Sequence, residues 1–176
     1  FDYLSSDLNI SVIACIDFTA SNGYYHLPNS LHRLAPGYLN DYQAVITSVC
    51  EVLLPYDSDK LIQTYGFGGI PSGLPTLENP PGKVSHFFPL TGDWKNCAGY
   101  GIKGVFDIYT SALSKVELSG PTFFAPMFQE INKFTEASVK QDPDNYTVLL
   151  VITDGSIHDI NRTIDEIILG SELPLS

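Results

Sequence analysis

The chain has 176 residues, of which 44% are hydrophobic, so it is long enough for one domain with a substantial buried core. Twenty acidic residues against nine basic ones give a net charge of -11, which excludes nucleic acid as an expected partner and disfavours binding of this segment alone to anionic lipid. The longest apolar runs, 12–16 and 148–152, have five residues each, whereas a membrane-spanning helix needs about 20. The three cysteines form no C-x-x-C pair, which is typical of a cytoplasmic protein without a disulfide framework or structural zinc.

In the first half of the chain, strand patterns alternate with a helix pattern. Residues 10–16 (ISVIACI) are short, β-branched and apolar on both faces, which predicts a strand covered on both sides. Apolar residues at helical spacing predict a helix over 41–54, closed by Pro55, and 61–67 (LIQTYGF) is predicted as the second strand. The glycines and prolines of 68–82 predict an exposed loop, and 84–90 is predicted as a short edge strand that contains a proline.

The second half continues the alternation. A helix is predicted over 102–114, and another begins near Pro126, followed by an apolar stripe of Phe128, Ile131 and Phe134. Residues 146–153 (YTVLLVIT) give the strongest strand signal in the chain.

The last predicted helix spans 161–169, where Thr163 and Glu166 match a capping box and the apolar face carries Ile164, Ile167 and Ile168. Strands that alternate with helices imply right-handed crossovers and a mainly parallel sheet. The sequence therefore predicts one α/β domain over 1–176, with a doubly wound, mainly parallel sheet.

In open α/β sheets, ligands bind beyond the carboxyl ends of the strands. Asp17, Thr19 and Ser21 follow the first strand at alternate positions, and Asp154 follows the strand at 146–153. If these strands are neighbours, the carboxylates of Asp17 and Asp154 converge and repel each other, and neither loop has a lysine or arginine to neutralise them. A divalent cation would do so, and Mg²⁺ or Mn²⁺ would suit such oxygen donors better than Zn²⁺. The alternative is that both aspartates are turn and cap residues, as aspartates after strands often are.

The same segments resemble the copine domain, a variety of the von Willebrand factor A fold. The resemblance runs over nearly the whole chain, in order. It is carried by DFTASNG (17–23), SLH (30–32), YDSDKLIQTYGFGG (56–69), SGPTFFAP (119–126) and LLVITDG (149–155). It implies a Rossmann-like sheet with a metal-ion-dependent adhesion site at its top.

Carried over residue by residue, the resemblance implies metal ligation by Asp17, Thr19, Ser21, Thr122 and Asp154. A carboxylate of a protein partner would complete the shell around Mg²⁺ or Mn²⁺. Thr19 stands where many A-type domains have serine, so its additional methyl group crowds the implied site.

Two features depart from the copine pattern. Tyr100 and Gly101 look like a two-residue insertion before the helix at 102–114. The family continues into another apolar strand and a final helix beyond the point where residues 173–176 end this chain, so a sheet edge is expected to be exposed or paired with another chain. The resemblance also implies upstream C2 domains that carry Ca²⁺-dependent lipid binding, so that membrane contact comes only through domains outside this chain.

The resulting hypothesis is a protein-interaction module of a copine-like protein, cytoplasmic and recruited to membranes when calcium rises, rather than an enzyme. An alternative is a metal-dependent enzyme of phosphoryl or ester chemistry, for which the loops offer a base only in His158, next to Asp159. A further alternative is the copine-type domain of a ubiquitin ligase. The D-x-D sequence of Asp57 and Asp59 is interpreted as a solvated turn, since it joins a helix to a strand.

Overall fold

The computed structural model describes residues 9–74 and 82–176. The strands are β1 (Asn9–Asp17), β2 (Leu61–Phe67), β3 (Gly69–Pro71), β4 (Phe88–Pro89), β5 (Ala98–Tyr100), β6 (Val116–Leu118) and β7 (Asn145–Ile152). The α-helices are α1 (Asp41–Leu53), α2 (Gly101–Leu113), α3 (Ala125–Gln141) and α4 (Ile160–Gly170), and a short 3-10 helix covers Ala20–Asn22. None of the described helices combines the length and the apolar character that crossing a membrane requires.

The central sheet has the order β4-β2-β1-β7, and β5 also pairs with β2. Strand β1 is parallel to both β2 and β7, whereas β4 and β5 run antiparallel to β2. Strands β3 and β6 form a separate antiparallel pair. The predicted class is confirmed: the domain is α/β with a mainly parallel central sheet, consistent with a von Willebrand factor A-like fold.

Strand β1 is covered on both faces, which explains its continuous apolar sequence. Alternate residues of a strand point to opposite faces, so Val12, Ala14 and Ile16 join one core and Ile13 and Cys15 join the other. Helices α1 and α2 contribute to the first core and α3 to the second. The sheet is therefore the middle layer of three.

The longer elements agree with the predictions to within one or two residues. Helix α1 begins where predicted because Asn40 accepts a hydrogen bond from the Gln43 N–H at 2.8 Å and Gln43 Oε1 accepts one from the Asn40 N–H at 3.1 Å. Strand β2 has the predicted bounds.

Several local predictions are wrong. Strand β3 lies inside the predicted loop 68–82, of which 75–81 are outside the described residues, and the three-residue strands β5 and β6 were not predicted. The predicted strand 84–90 is reduced to Phe88–Pro89. Helix α4 begins at Ile160, so Thr163 lies in its first turn, where its hydroxyl donates to Asp159 Oδ1 at 3.1 Å instead of capping the helix.

Strand β7 is last in the strand order of the described sheet, and residues 174–176 pair with part of it. The Thr147 N–H donates to Pro174 O at 2.8 Å, and the Leu149 N–H donates to Ser176 O at 2.7 Å. Leu175 is thereby placed parallel to Thr147. Three isoleucines of the apolar face of α4 stay close to half exposed or more: Ile164, Ile167 and Ile168.

The D-x-D segment forms a turn, as expected, but Asp57 is buried rather than solvated, with 3% of its surface exposed. Its Oδ1 accepts hydrogen bonds from the N–H groups of Asp59 and Lys60, and its Oδ2 is buried without a donor among the described residues. Burial raises the pKa of Asp57, and the neighbouring Asp59 raises it further.

Asn retains the Oδ1 acceptor and removes the buried charge, but it places amide N–H donors where Oδ2 has no partner. Because these effects oppose each other, we expect Asp57→Asn to change the free energy of unfolding at pH 7 by no more than about 1 kcal/mol. Urea denaturation measures this, with Asp59→Asn, an exposed neighbour, as the control. A clear loss of stability in Asp57→Asn alone would show that the fold needs this charge.

Candidate functional site

The carboxyl ends of β1 and β7 lie side by side, because Ile16 of β1 is in register with Ile152 of β7. Asp17 is completely buried at this edge. Its Oδ1 accepts a hydrogen bond of 2.7 Å from the Thr19 N–H, and its Oδ2 accepts one of 2.7 Å from the Thr153 hydroxyl. Thr153 was not predicted as a site residue, although it directly precedes Asp154.

The two hydroxyl groups predicted from the first loop lie together. Thr19 is buried, Ser21 is exposed in the 3-10 helix, and their side-chain oxygens are 3.1 Å apart. Asp17, Thr19 and Ser21 therefore form one cluster of oxygen atoms at the end of β1.

The electrostatics of this cluster favour a cation. Burial raises the pKa of Asp17, the hydrogen bonds from Thr19 and Thr153 lower it, and the negative charge of Asp154 raises it again. No lysine or arginine in the described part of the chain forms an ion pair with Asp17. A divalent cation between the two aspartates would supply the missing positive charge.

Thr122 belongs to the segment 119–122, which is hydrogen-bonded to the loop after β1 and to the loop after β7. At one end, the Ala20 N–H donates to Ser119 O at 2.6 Å, so the segment lies against the first loop. At the other, the Thr122 N–H donates to His158 Nδ1 at 3.2 Å, and the His158 N–H donates to Thr122 O at 3.0 Å. Thr122 is buried, and the bond between Gly120 and Pro121 is cis.

His158 and Asp159 hold this segment in place. The carboxylate of Asp159 accepts hydrogen bonds from the N–H groups of Phe124 at 2.9 Å and Ala125 at 3.0 Å, where α3 begins. Both side chains are thus engaged by the backbone of 122–125, which favours a structural role over the acid–base pair considered from the sequence.

A second layer of polar residues, which the sequence analysis did not identify, lies behind the first loop. His32 is fully buried; its Nε2 lies 2.9 Å from Asp17 O and its Nδ1 lies 2.7 Å from the Tyr109 hydroxyl. Burial lowers the pKa of His32 to about 4, so the ring is neutral at pH 7, donates to Asp17 O and accepts from Tyr109. The SLH segment at 30–32 carried part of the copine resemblance, but nothing in its spacing indicated this contact.

The methyl group of Thr19 has room because residue 68 is glycine. A Cβ atom added at Gly68 would overlap Thr19 Cγ2. The Thr19 methyl group therefore lies against the backbone at Gly68, next to the end of β2. Its expected crowding of the metal site stays a prediction.

The oxygen atoms of the predicted ligand set would suit a hard divalent cation better than zinc. The described residues contain no cluster of three or more histidine, cysteine, aspartate or glutamate side chains that could hold a metal. The predicted set has two carboxylates, Asp17 and Asp154, and three hydroxyls, Thr19, Ser21 and Thr122, and such oxygen donors suit Mg²⁺ or Mn²⁺.

Comparison with known proteins agrees with this fold. The family model described as Copine matches residues 30–176. Protein BONZAI 2 and Protein BONZAI 1 from Arabidopsis thaliana are 43% and 44% identical over 176 residues, and Copine-A from Dictyostelium discoideum is 41% identical over 175 residues. Each alignment covers 99% of this chain but only 28–29% of the relative, so the chain spans less than a third of these proteins. None of the three names denotes an enzymatic activity. Because the family model matches most of the chain, the chain belongs to the copine family.

Proposed function

We propose that this domain is a protein-interaction module that binds Mg²⁺ or Mn²⁺ through Asp17, Thr19, Ser21, Thr122 and Asp154. The observation that carries the proposal is Asp17, a completely buried carboxylate that accepts hydrogen bonds from the Thr19 N–H and the Thr153 hydroxyl. It has no ion pair with a basic side chain in the described part of the chain. A buried charge of this kind is costly unless it is paired or ligates a metal.

The metal would connect this acidic domain to an acidic group of a partner. A chain of net charge -11 repels a carboxylate, whereas a divalent ion at the edge of the sheet attracts one. Ser21 and Asp154 are exposed, so the site opens to solvent on the side where a partner would bind. The partner is therefore a protein that offers an acidic side chain to the metal.

Family membership supports the wider setting of the proposal. The domain would act within a copine-like protein whose C2 domains, outside this chain, bind phospholipid when Ca²⁺ rises. The protein would be cytoplasmic, would move to the plasma membrane or other membranes, and would take part in membrane-linked signalling or trafficking.

Thermal unfolding in EDTA and with added Mg²⁺, Mn²⁺ or Ca²⁺ tests the metal site. At a hundred times its dissociation constant, a metal that binds only the folded state stabilises it by about 2.7 kcal/mol. We expect this stabilisation with Mg²⁺ or Mn²⁺ in the wild type and its loss in Asp17→Asn, which keeps an acceptor for the Thr19 N–H but removes the charge.

The matched control is Asp142→Asn. Asp142 also accepts hydrogen bonds, from Asp144 and Asn9, but it lies at the opposite end of the sheet, beside the start of β1. This variant should keep the full response to metal. A wild type that does not respond, or an Asp17→Asn variant that responds normally, would refute the proposed site.

A further inference from the structure

We propose that Tyr42 and Asn22 position the Thr19 hydroxyl for the cation, so that Tyr42, on α1, tunes metal affinity without touching the metal. This inference rests on the proposed function and assigns the site a supporting pair that neither the sequence nor the family comparison identified.

The two side chains form a directed relay. The Tyr42 hydroxyl donates a hydrogen bond of 2.6 Å to Asn22 Oδ1. Because Oδ1 is thereby the acceptor, Nδ2 faces the first loop, where it donates to Thr19 O and to Thr19 Oγ1, both at 3.2 Å. The tyrosine hydroxyl therefore fixes which end of the amide meets Thr19.

The Asn22 amide also determines which lone pair of Thr19 Oγ1 is available to a cation. A hydroxyl oxygen has two acceptor lone pairs and one proton. Asn22 Nδ2 donates to one lone pair, and Ser21 Oγ lies 3.1 Å from the same oxygen. When the Thr19 proton is donated to Ser21, the second lone pair remains for a cation. A free threonine side chain would have to be ordered when the metal binds, whereas this one is already held, which favours binding.

The relay is anchored in the core rather than at the surface. Asn22 and Tyr42 are 1% and 2% exposed. The Tyr42 ring stacks on His32 with centroids 4.3 Å apart, and His32 in turn contacts Asp17 O, so both ends of the loop 17–22 are held from the same layer. Removal of the Tyr42 hydroxyl should therefore leave the ring packing in place and release only the amide.

The test is Mg²⁺ affinity, measured by calorimetry on folded protein for Tyr42→Phe. Loss of a group that orients a metal ligand commonly weakens metal affinity by 10-fold to 100-fold, and we expect a loss of about 10-fold here. Tyr65→Phe is the matched control, because Tyr65 is equally buried but its hydroxyl bonds Gln63 and Cys97 in the other core. This control should bind Mg²⁺ as the wild type does.

A double-mutant cycle with Asn22→Ala shows whether Tyr42 acts through the amide. We expect the double variant to bind Mg²⁺ no more weakly than Asn22→Ala alone. If Asn22→Ala does not fold, the two tyrosine variants decide the question. Wild-type affinity in Tyr42→Phe, or an equal loss in Tyr65→Phe, would overturn the positioning role while the metal site stands; absence of Mg²⁺ binding in the wild type would overturn both.

Discussion

Gly68→Ala is expected to lower the free energy of unfolding by about 2–4 kcal/mol, which is large for the addition of one methyl group. Two costs combine. Gly68 has a φ of +76°, a conformation that alanine adopts only under strain, and the added Cβ would overlap Thr19 Cγ2. Thr19 is itself held by Asn22 and Asp17, so it cannot move aside without breaking hydrogen bonds.

The chain offers a matched control for the first of these costs. Gly73 has a φ of +77°, but a Cβ at that position would meet nothing within 4 Å. Gly73→Ala should therefore show the conformational cost alone, about 1 kcal/mol. The difference between the two variants in urea denaturation, measured in EDTA, isolates the contact with Thr19.

A second substitution removes the contact itself. Thr19→Ser retains the hydroxyl and deletes the methyl group, so in this background Gly68→Ala should cost only as much as Gly73→Ala. Equal losses for Gly68→Ala in the threonine and serine backgrounds would contradict the steric explanation.

We expect His32 to make the domain less stable in mild acid by about 3 kcal/mol, with metal removed by EDTA. The pKa of His32 is lowered from 6.5 to about 4, chiefly by burial, although the contact with Asp17 O and the charge of Asp154 oppose the shift. Between pH 6.5 and pH 4 the unfolded chain binds a proton that the native chain does not. The contribution of His32 to the free energy of unfolding is therefore fully present above pH 6.5. It falls with decreasing pH between 6.5 and 4, at 1.36 kcal/mol per unit of pKa difference.

The contribution of His32 is isolated by comparing the pH dependence of the free energy of unfolding in the wild type and in His32→Gln. The raised pKa of Asp17 stabilises the fold as the pH falls, but it does so in both proteins and therefore cancels in the difference. The difference between the two stability curves should narrow as the pH falls from 7 to 4. If His32→Gln is too unstable to measure, NMR titration of the wild type replaces it, and the His32 ring should stay neutral through pH 6. A His32 ring that titrates near pH 6.5 would contradict the burial argument.

The sequence predicted the long elements because their patterns depend on local periodicity. Strand β1 is apolar on both faces, and α1 has a capping residue before it and a proline after it, so neither depends on distant partners for recognition. The three-residue strands β3, β5 and β6 have no such signal, since each is defined by the strand it pairs with. Tertiary pairing, rather than propensity, decides these elements.

Some residues of the candidate site could likewise be predicted from local sequence, and others could not. The alternate spacing of Asp17, Thr19 and Ser21 predicted one cluster, and the structure brings their side chains together; their ligation of a metal stays a prediction. Thr122 was placed only by the family resemblance. Asn22 and Tyr42 could not be inferred from spacing, because 20 residues separate them and only the packing of α1 on the sheet joins them.

The bond between Asp17 and Thr153 has a consequence for the order of folding. It joins residues 136 positions apart, and β7, which brings Thr153 to this edge, pairs with the most N-terminal described strand. Contacts between such distant segments form late, because closing a long loop costs entropy before any pairing compensates for it. During synthesis, a ribosome-bound chain that has not yet emerged through residue 154 carries Asp17 without Thr153 and Asp154. The proposed affinity for Mg²⁺ would therefore arise only after β7 has paired with β1.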